Sequence, residues 1–393
     1  MSRKPAHTLL AVCASIAAGA LCTLSPAAGA ERGTWSFAVS GDSRNCGDLV
    51  MPAIAAAVKQ EGAAFYWHLG DYRKISKPDE DLLAEARFSP PASPPTLEEY
   101  RQMALADAIQ HQVQAFGPVP FFPGIGNHET IPPSSRDQFR AQMRPYLDSE
   151  VLKRQRQKDG DSGDGSPDSL PPTYFHWRHG VVDFINLDNA TDDAFDERQT
   201  AWFDRVLAAA VKDRHVRTIV VGMHEALPHS LADQHSMCAT AEGATSGERV
   251  YRALARAQKR GKHVYVLASH SHFLLTNIFA TPYWQDTGHG AAVLPGWIVG
   301  TAGAERYALP QGVTSGPDAM THVYGYLRGV AHADGRIDFA FHEITEDALR
   351  HSRPADLPES LVTFCSEGNP PLPMRVRPVT ATACDAERAS HDQ

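Results

Sequence analysis

The chain has 393 residues, of which 42% are hydrophobic and 21% are charged, a composition typical of a globular protein with a large core. Its formal net charge is −9, and this acidic balance argues against a protein that coats nucleic acid, because phosphate backbones are bound by clustered lysine and arginine. The same balance leaves room for a small phosphorylated molecule bound at metal ions, and the length suits one large domain or two ordinary ones.

The first thirty residues predict an export signal. Arg3 and Lys4 form a basic start, residues 9–24 form an apolar run too short to span a bilayer comfortably, and residues 28–30 (AGA) offer a cleavage site of small residues. A retained membrane anchor is the alternative. No second long apolar run follows, so we expect no stable membrane span and a mature chain in the periplasm or outside the cell.

The chain then alternates between short apolar runs and helical patterns, as in a sheet covered by helices. The apolar runs predict strands over residues 35–40, 64–69, 181–187, 217–222 and 263–268. The apolar spacing predicts helices over residues 51–62, 96–116, 134–147, 197–211 and 247–261. Thr96 and Glu99 form a capping-box pattern at the start of the second of these helices.

After residue 290 the pattern becomes richer in β-structure, with a turn at Asp334-Gly335 between the last two strands. Two insertions, residues 88–96 and 158–172, are rich in proline or in glycine, aspartate and serine, and we expect loops there. No internal repeat is evident. We therefore predict one α/β domain over residues 31–350, followed by a Pro-rich tail over residues 351–393.

Four cysteines remain after the predicted signal: Cys46, Cys238, Cys365 and Cys384. They allow three pairings, and an exported protein folds in a compartment where disulfides form. Cys365 and Cys384 lie close together in the sequence, so a disulfide between them could staple the tail. Cys46 and Cys238 each follow one of the polar segments described next and are a second candidate pair. Free buried thiols are the alternative.

Five short segments bearing histidine or aspartate are the main functional signal of the chain. Four of them follow a predicted strand, and open α/β folds place their ligand sites just beyond strand ends. Carboxylate and amide oxygens together with imidazole nitrogens are suitable ligands for divalent metals. The segments are GDSR (residues 41–44), GDYRK (70–74), GNHE (126–129), GMHE (222–225) and SHSH (269–272).

In this order the five segments resemble the motif series of the calcineurin-like metallophosphoesterase superfamily, nearest the purple acid phosphatase-like branch. The resemblance runs from about residue 35 to about residue 345 and so covers nearly all of the predicted mature chain. It implies a four-layer α/β/β/α sandwich of two mixed sheets flanked by helices. It also implies two divalent or trivalent metal ions (Fe, Mn or Zn) at the strand ends.

The resemblance assigns roles to individual residues. The implied ligands are Asp42 and His272 at the first metal, Asn127, His224 and His270 at the second, and Asp71 bridging both. A hydroxide between the metals would attack phosphorus, and Asp71 is also implied in that catalytic step. His128 would stand beside the leaving group, either as a proton donor or as a hydrogen bond to the phosphate.

Two positions depart from the family pattern. Arg44 stands where many members carry a metal-binding histidine, and a guanidinium has only donors, so it cannot bind a metal. Lys74 stands where the purple acid phosphatases carry a tyrosine, three residues after the bridging aspartate. The first metal would therefore keep only three protein ligands, and we expect no purple ferric centre.

Arg44 and Lys74 have two interpretations. Both could grip phosphate oxygens as catalytic or binding residues, or both could form salt bridges with nearby acids such as Asp48 or Asp79. For Arg44 we favour the grip on phosphate, because it follows Asp42 by two residues. For Lys74 the two interpretations stay even.

Together these features predict an exported, metal-dependent phosphoester hydrolase acting on a small phosphorylated substrate. Monoesters are favoured over diesters, on the resemblance to acid phosphatases and on the two additional cations near the site. A phosphodiesterase or nucleotide hydrolase using the same residues is one alternative. A non-catalytic binding protein that has lost the first metal site is the other.

Overall fold

Two mixed β-sheets form the centre of the molecule. The computed structural model describes residues 33–88, 92–161, 169–232, 235–287, 293–373 and 384. The predicted export signal and most of the tail after residue 373 lie outside the described residues. The described residues from Thr34 onward belong to one compact unit, and none of their helices is long and apolar enough to cross a membrane.

Twelve strands are found among the described residues, and those predicted from the sequence are confirmed to within about two residues. In chain order they are β1 (Trp35–Ser40), β2 (Tyr66–His68), β3 (Phe121–Pro123), β4 (Phe175–His179), β5 (Val182–Asn186), β6 (Thr218–Gly222), β7 (His263–Ala268), β8 (Leu274–Thr276), β9 (Gly296–Val299), β10 (Ala319–Met320), β11 (Gly325–Ala331) and β12 (Ile337–Glu343).

The described helices lie mainly where the apolar spacing predicts them. They are α1 (Gly47–Gln60), α2 (Glu80–Ala84), α3 (Leu97–Ala108), α4 (Arg136–Gln142), α5 (Arg144–Leu147), α6 (Glu150–Asp159), α7 (Glu197–Lys212), α8 (Ala241–Lys259), α9 (Pro282–Thr287), α10 (Glu346–Ser352) and α11 (Glu359–Thr363). The capping box of Thr96 and Glu99 is present at the start of α3.

Two helix predictions need correction. The helix predicted over residues 134–147 is broken at Met143, because Pro145 opens the new helix α5 and cannot continue the old one. The helix predicted from residue 247 begins at Ala241 instead, where the Thr240 side chain accepts a hydrogen bond from the Gly243 backbone.

The parallel strands form one side of the smaller sheet and the centre of the larger one. The five-stranded sheet has the order β12-β11-β1-β2-β3, and the seven-stranded sheet has the order β10-β8-β9-β7-β6-β5-β4. β1, β2 and β3 run parallel, and so do β5, β6, β7 and β9. Antiparallel strands complete both sheets.

Aromatic side chains fill the space between the two sheets. The ring centroids of Phe37 and Phe184 are 5.0 Å apart, and those of Phe122 and Trp177 are 4.0 Å apart. A second apolar cluster, which includes Trp202 on α7, lies between the seven-stranded sheet and helices α7 and α8. Helix α1 packs beside the five-stranded sheet. The predicted four-layer α/β/β/α sandwich is therefore confirmed.

Both disulfide pairings considered from the sequence are wrong. The four cysteines pair as Cys46–Cys365 and Cys238–Cys384, and all four side chains are fully buried. Proximity in sequence is misleading here, because the fold brings residue 365 to the start of α1 and residue 384 to the segment before α8. The tail is thus joined to the body of the domain rather than to itself.

His176 on β4 makes stability depend on pH. Its Nδ1 lies 2.8 Å from Asp183 Oδ1, and its Nε2 lies 2.7 Å from Asp159 Oδ2. Burial alone lowers the pKa of His176, but the two carboxylates outweigh burial and raise it from 6.5 to about 9. The folded pKa is the higher one, so the stabilisation is complete below about pH 6.5 and is lost as pH rises through about 9.

We expect His176→Gln to lower the free energy of unfolding by roughly 3 kcal/mol at about pH 6, and by much less at about pH 10. Urea unfolding at the two pH values measures the difference. The exposed His215 supplies the control variant, His215→Gln, which should change neither value. Equal losses for His176→Gln at both pH values would contradict the ion-pair explanation.

Candidate metal centre

Five of the predicted site residues meet at one edge of the sandwich because the strands before them run parallel. Asp42 follows β1, Asp71 follows β2, Asn127 follows β3, His224 follows β6 and His270 follows β7. Parallel strands that neighbour one another end at the same edge of a sheet, so their following residues converge. The two sheets face each other, so the residues that follow β1, β2 and β3 lie close to those that follow β6 and β7.

Three of these residues have unusual backbone conformations. Asp42, Asp71 and His270 have φ angles of 61°, 62° and 64°, in the left-handed region that favours glycine. Each such residue costs on the order of 1–3 kcal/mol, and such residues cluster at functional sites. The backbone thus turns sharply at three strand ends where a functional side chain is needed.

Glu129, from the GNHE segment, holds two of the turns together. Its carboxylate accepts backbone hydrogen bonds from Asp71 (2.9 Å), Tyr72 (2.9 Å) and Gly126 (2.8 Å). Burial and the nearby Asp71 raise the pKa of Glu129 to about 8, and the three N–H donors oppose them. A side chain at Gly126 is excluded, because its Cβ would lie 2.2 Å from Asp71 Oδ1.

We expect Glu129→Gln to lower the free energy of unfolding by roughly 1–3 kcal/mol. One carboxylate oxygen, which accepts backbone N–H groups, is replaced by an amide nitrogen, which cannot accept them. Metal affinity should fall as well, since Asp71 loses its backbone support. Urea unfolding and metal titration measure the two effects. Glu346→Gln, at a partly exposed position on α10, is the control, and an equal effect there would contradict this role.

Four donor atoms converge around His224. Its Nε2 lies 3.0 Å from His270 Nδ1, 3.1 Å from Asn127 Oδ1 and 3.4 Å from Asp71 Oδ1. Its Nδ1 donates a hydrogen bond to the Leu69 carbonyl at 2.9 Å. Nε2 therefore faces the three other potential metal-ligand atoms. Oxygens and imidazole nitrogens in this arrangement form a ligand set that fits one divalent metal.

The charges around this set favour a cation. Burial lowers the pKa of His224, but Asp71 and Asp42 more than reverse the effect and raise it to about 10. Burial, His235 and His224 hold the pKa of His270 well below its ordinary value, so His270 is neutral. The cluster therefore attracts one positive charge, which either a proton or a metal ion can supply.

The residues predicted to bind the first metal contact the guanidinium group of Arg44 instead. His272 Nε2 lies 3.3 Å from Asp42 Oδ1, as expected for two ligands of one site. Arg44 Nη2 donates to the same His272 Nε2 at 2.8 Å, and Arg44 Nη1 lies 3.6 Å from Asp71 Oδ2. Arg44 is only 5% exposed. The donor set of the first site thus surrounds a fixed cation of the protein itself, and it does not fit a metal ion in this arrangement.

Lys74 and Arg44 share an acid that the sequence analysis missed. Lys74 Nζ pairs with Glu305, and Arg44 Nε lies 3.7 Å from the same carboxylate. The suggested partner Asp48 binds Arg73 instead. Arg44 and Lys74 hold the pKa of Glu305 at about 2, against the opposing effect of burial. Glu305 lies in the segment after β9 but not directly at the strand end, so the rule that located the other site residues does not identify it.

His128 is tethered on both sides of its ring. Its Nδ1 donates to the Lys74 carbonyl, and its Nε2 accepts from Arg44 Nη1. Burial and the charge of Arg44 lower the pKa of His128 to about 4. His128 Nε2 also lies 3.7 Å from Asp71 Oδ2. The ring therefore stands within the cluster and is neutral at neutral pH.

Three further aromatic residues lie in or beside the cluster. His68 is buried and bonds Ser43 Oγ at 3.0 Å, so it is a core residue. Tyr72 stacks on His68 and takes no part in the cluster. The ring of His235 stacks on that of His270, with centroids 3.9 Å apart, so His235 borders the cluster.

Solved structures with a similar fold include a purple acid phosphatase from yellow lupin (Lupinus luteus). The match has 12% sequence identity and a TM-score of 0.51, and it covers 87% of this chain and 57% of the lupin chain. This chain thus spans little more than half the length of that protein. The metallophosphoesterase fold expected from the sequence motifs is confirmed.

Two further structures match less well. PhoD matches with 15% identity and a TM-score of 0.44 over 81% of this chain and 73% of its own. GAP50, the anchor in the inner membrane complex of Plasmodium, matches with 13% identity and a TM-score of 0.44 over 84% of this chain and 99% of its own. No protein-family model matches the chain, and no curated protein matches it in sequence.

Proposed function

We propose that this chain, which has the metallophosphoesterase fold, is a metal-dependent hydrolase of phosphate esters. The observation that carries the proposal is the convergence of Asp71, Asn127, His224 and His270 donor atoms at the ends of parallel strands. These residues would hold a divalent metal such as Fe, Mn or Zn. When bound there, the metal supplies Lewis acidity and lowers the pKa of water, which is the chemistry that ester hydrolysis needs.

The surrounding side chains have proposed roles in binding and proton transfer. Arg44 Nη1 and His128 Nε2 are hydrogen-bonded neighbours, so both can approach oxygens of the same phosphate group. Arg44 supplies positive charge for the anionic substrate. His128 would act beside the leaving group, by donating a proton or by hydrogen bonding to the phosphate.

The substrate is proposed to be a small phosphate monoester. A monoester dianion carries more charge than a diester, and Arg44 and Lys74, together with the one carboxylate of Glu305 that they share, leave a net positive charge beside the metal-binding cluster. Diester or nucleotide hydrolysis at the same residues is the alternative. Export to the periplasm or the outside of the cell is supported by the two buried disulfides, which form in oxidising compartments.

A second candidate function is binding without turnover. The observation that favours it is the Arg44 guanidinium among the first-site residues, because an enzyme that needs two metals could not work with this arrangement. Such a protein would still bind a metal at the His224 cluster and a phosphate beside it.

The test is hydrolysis of a chromogenic phosphate monoester and the matching diester by metal-free protein reloaded with Mn, Zn or Fe. We expect metal-dependent turnover, faster on the monoester. Metal binding without turnover for any of the three ions would support the binding protein. Absence of metal binding would contradict both functions.

A further inference from the structure

We propose that the Arg44 guanidinium takes the place of the first metal, so that the folded chain holds a single metal ion, bound by Asp71, Asn127, His224 and His270. The inference rests on the proposed metal-dependent function and specifies its metal content. His272, which faces Asp42, then positions Arg44 instead of binding a metal.

The first argument is the hydrogen bond between Arg44 and His272. His272 Nδ1 donates to the Glu305 carbonyl, so its remaining lone pair is on Nε2. That lone pair would be the one to bind the metal, and Arg44 Nη2 already donates to it at 2.8 Å. A metal could bind there only if the guanidinium moved away.

The second argument is that Arg44 is fixed by many contacts. Its guanidinium lies within 3.7 Å of Asp71 and Glu305 carboxylate oxygens and donates to the Tyr307 hydroxyl at 3.3 Å. It also bonds His128. The side chain is 5% exposed, so the charge has little solvent to move into. A divalent ion beside this fixed cation would be repelled, because buried charges are weakly screened.

The third argument is the shortage of replacement ligands. Among the described residues, the ligands left to a metal at the first site are Asp42, Asp71 and His272, because Arg44 has no lone pair to offer. Glu305, the other acid beside Arg44, is paired with Lys74. Tyr72 stacks on His68, outside the cluster, and the hydroxyl of Tyr307 is engaged by Arg44. Three protein ligands of this kind leave the site weaker than the four that converge on His224.

The arrangement gives the site one exchangeable cation and one permanent cation. Arg44 Nη1 lies 3.6 Å from Asp71 Oδ2, while Asp71 Oδ1 belongs to the His224 cluster. One carboxylate oxygen of Asp71 thus belongs to the metal-binding cluster, and the other faces the guanidinium. In the family pattern the two oxygens of this aspartate bridge two metals. A phosphate placed between the two cations would be held by both.

The experiment measures metal content. Wild-type protein is loaded with excess Mn(II), freed of unbound metal by gel filtration, and assayed for metal per chain by mass spectrometry, with electron paramagnetic resonance as the second readout. We expect about one Mn per chain and an uncoupled signal. Arg44→His, which provides a first-site ligand, should raise the content to about two and give the coupled signal of ions ~3.5–4 Å apart.

The control is Arg249→His, an equivalent change at a surface ion pair with Asp204, and it should retain one Mn. If Arg44→His does not fold, Arg44→Gln removes the same charge and supplies an oxygen donor. Two Mn in the wild type, or one Mn in every folded Arg44 variant, would overturn the inference. No Mn in the wild type would overturn the proposed function as well. The metal content therefore distinguishes a failure of the single-metal inference from a failure of the proposed function.

Discussion

Replacing Asp71 by asparagine is expected to lower kcat/KM for phosphate esters by roughly 10³-fold or more, because bound metal contributes several kcal/mol to such reactions. Asp71 Oδ1 lies in the His224 cluster and accepts the His128 backbone N–H at 3.0 Å. Burial raises the pKa of Asp71, but His128, His224 and Arg44 hold it well below its ordinary value, so the residue is an anion. Asparagine removes this charge.

The measurement combines steady-state kinetics with metal titration, since metal affinity should fall together with kcat/KM. Asp204→Asn, at a surface ion pair with Arg249, is the matched control and should retain both properties. Circular dichroism checks that the Asp71 variant is folded. A folded Asp71→Asn protein with unchanged turnover would contradict the proposed function.

The strand ends were predictable because a simple rule locates them. A buried apolar run followed by a polar residue marks the end of a strand, and parallel strands share an edge. This rule places Asp42, Asp71, His224 and His270 in one region before any contact is known. It is local in sequence, and the sheets in the structure agree with it.

The partners of these residues were not predictable in the same way. Lys74 was considered with Asp48 or Asp79, which lie near it in sequence. Asp48 pairs with the buried Arg73, and Asp79 accepts from the Tyr100 hydroxyl and from the backbone N–H of Lys74 rather than from its ammonium group. Its actual partner, Glu305, is 231 residues away in the chain. Such contacts depend on how the two sheets face each other.

The disulfide pairings could not be predicted from the sequence for the same reason. Cys46 and Cys365 are 319 residues apart in the chain, and their contact depends on the packing of the whole domain. The proximity of Cys365 to Cys384 in sequence gave no information about the fold. Local patterns therefore predict elements and the edge where side chains gather, whereas the exact neighbours of Arg44 need the packed structure.

His128 provides the second large effect. We expect His128→Ala to lower kcat by roughly 10²–10⁴-fold for an alkyl phosphate, if the ring protonates the leaving group. The loss should be much smaller for a nitrophenyl phosphate, because nitrophenolate leaves without a proton. His215→Ala, at an exposed position, is the control and should change neither rate. Equal losses for both substrates would favour the other role, a hydrogen bond to the phosphate.

The pH dependence separates the two roles further. Burial and Arg44 lower the pKa of His128 to about 4, so the protonated form is abundant only in acid. A proton donor with this pKa makes kcat/KM for the alkyl phosphate fall as the pH rises above about 4, and His128→Ala should remove that fall. Because Arg44 is one cause of the low pKa, Arg44→Gln should move the decline to higher pH. Because Nδ1 donates to Lys74, a hydrogen bond from Nε2 to the phosphate needs the same added proton. That role therefore predicts the decline and its displacement for the nitrophenyl phosphate as well, whereas proton donation to the leaving group predicts them for the alkyl phosphate alone.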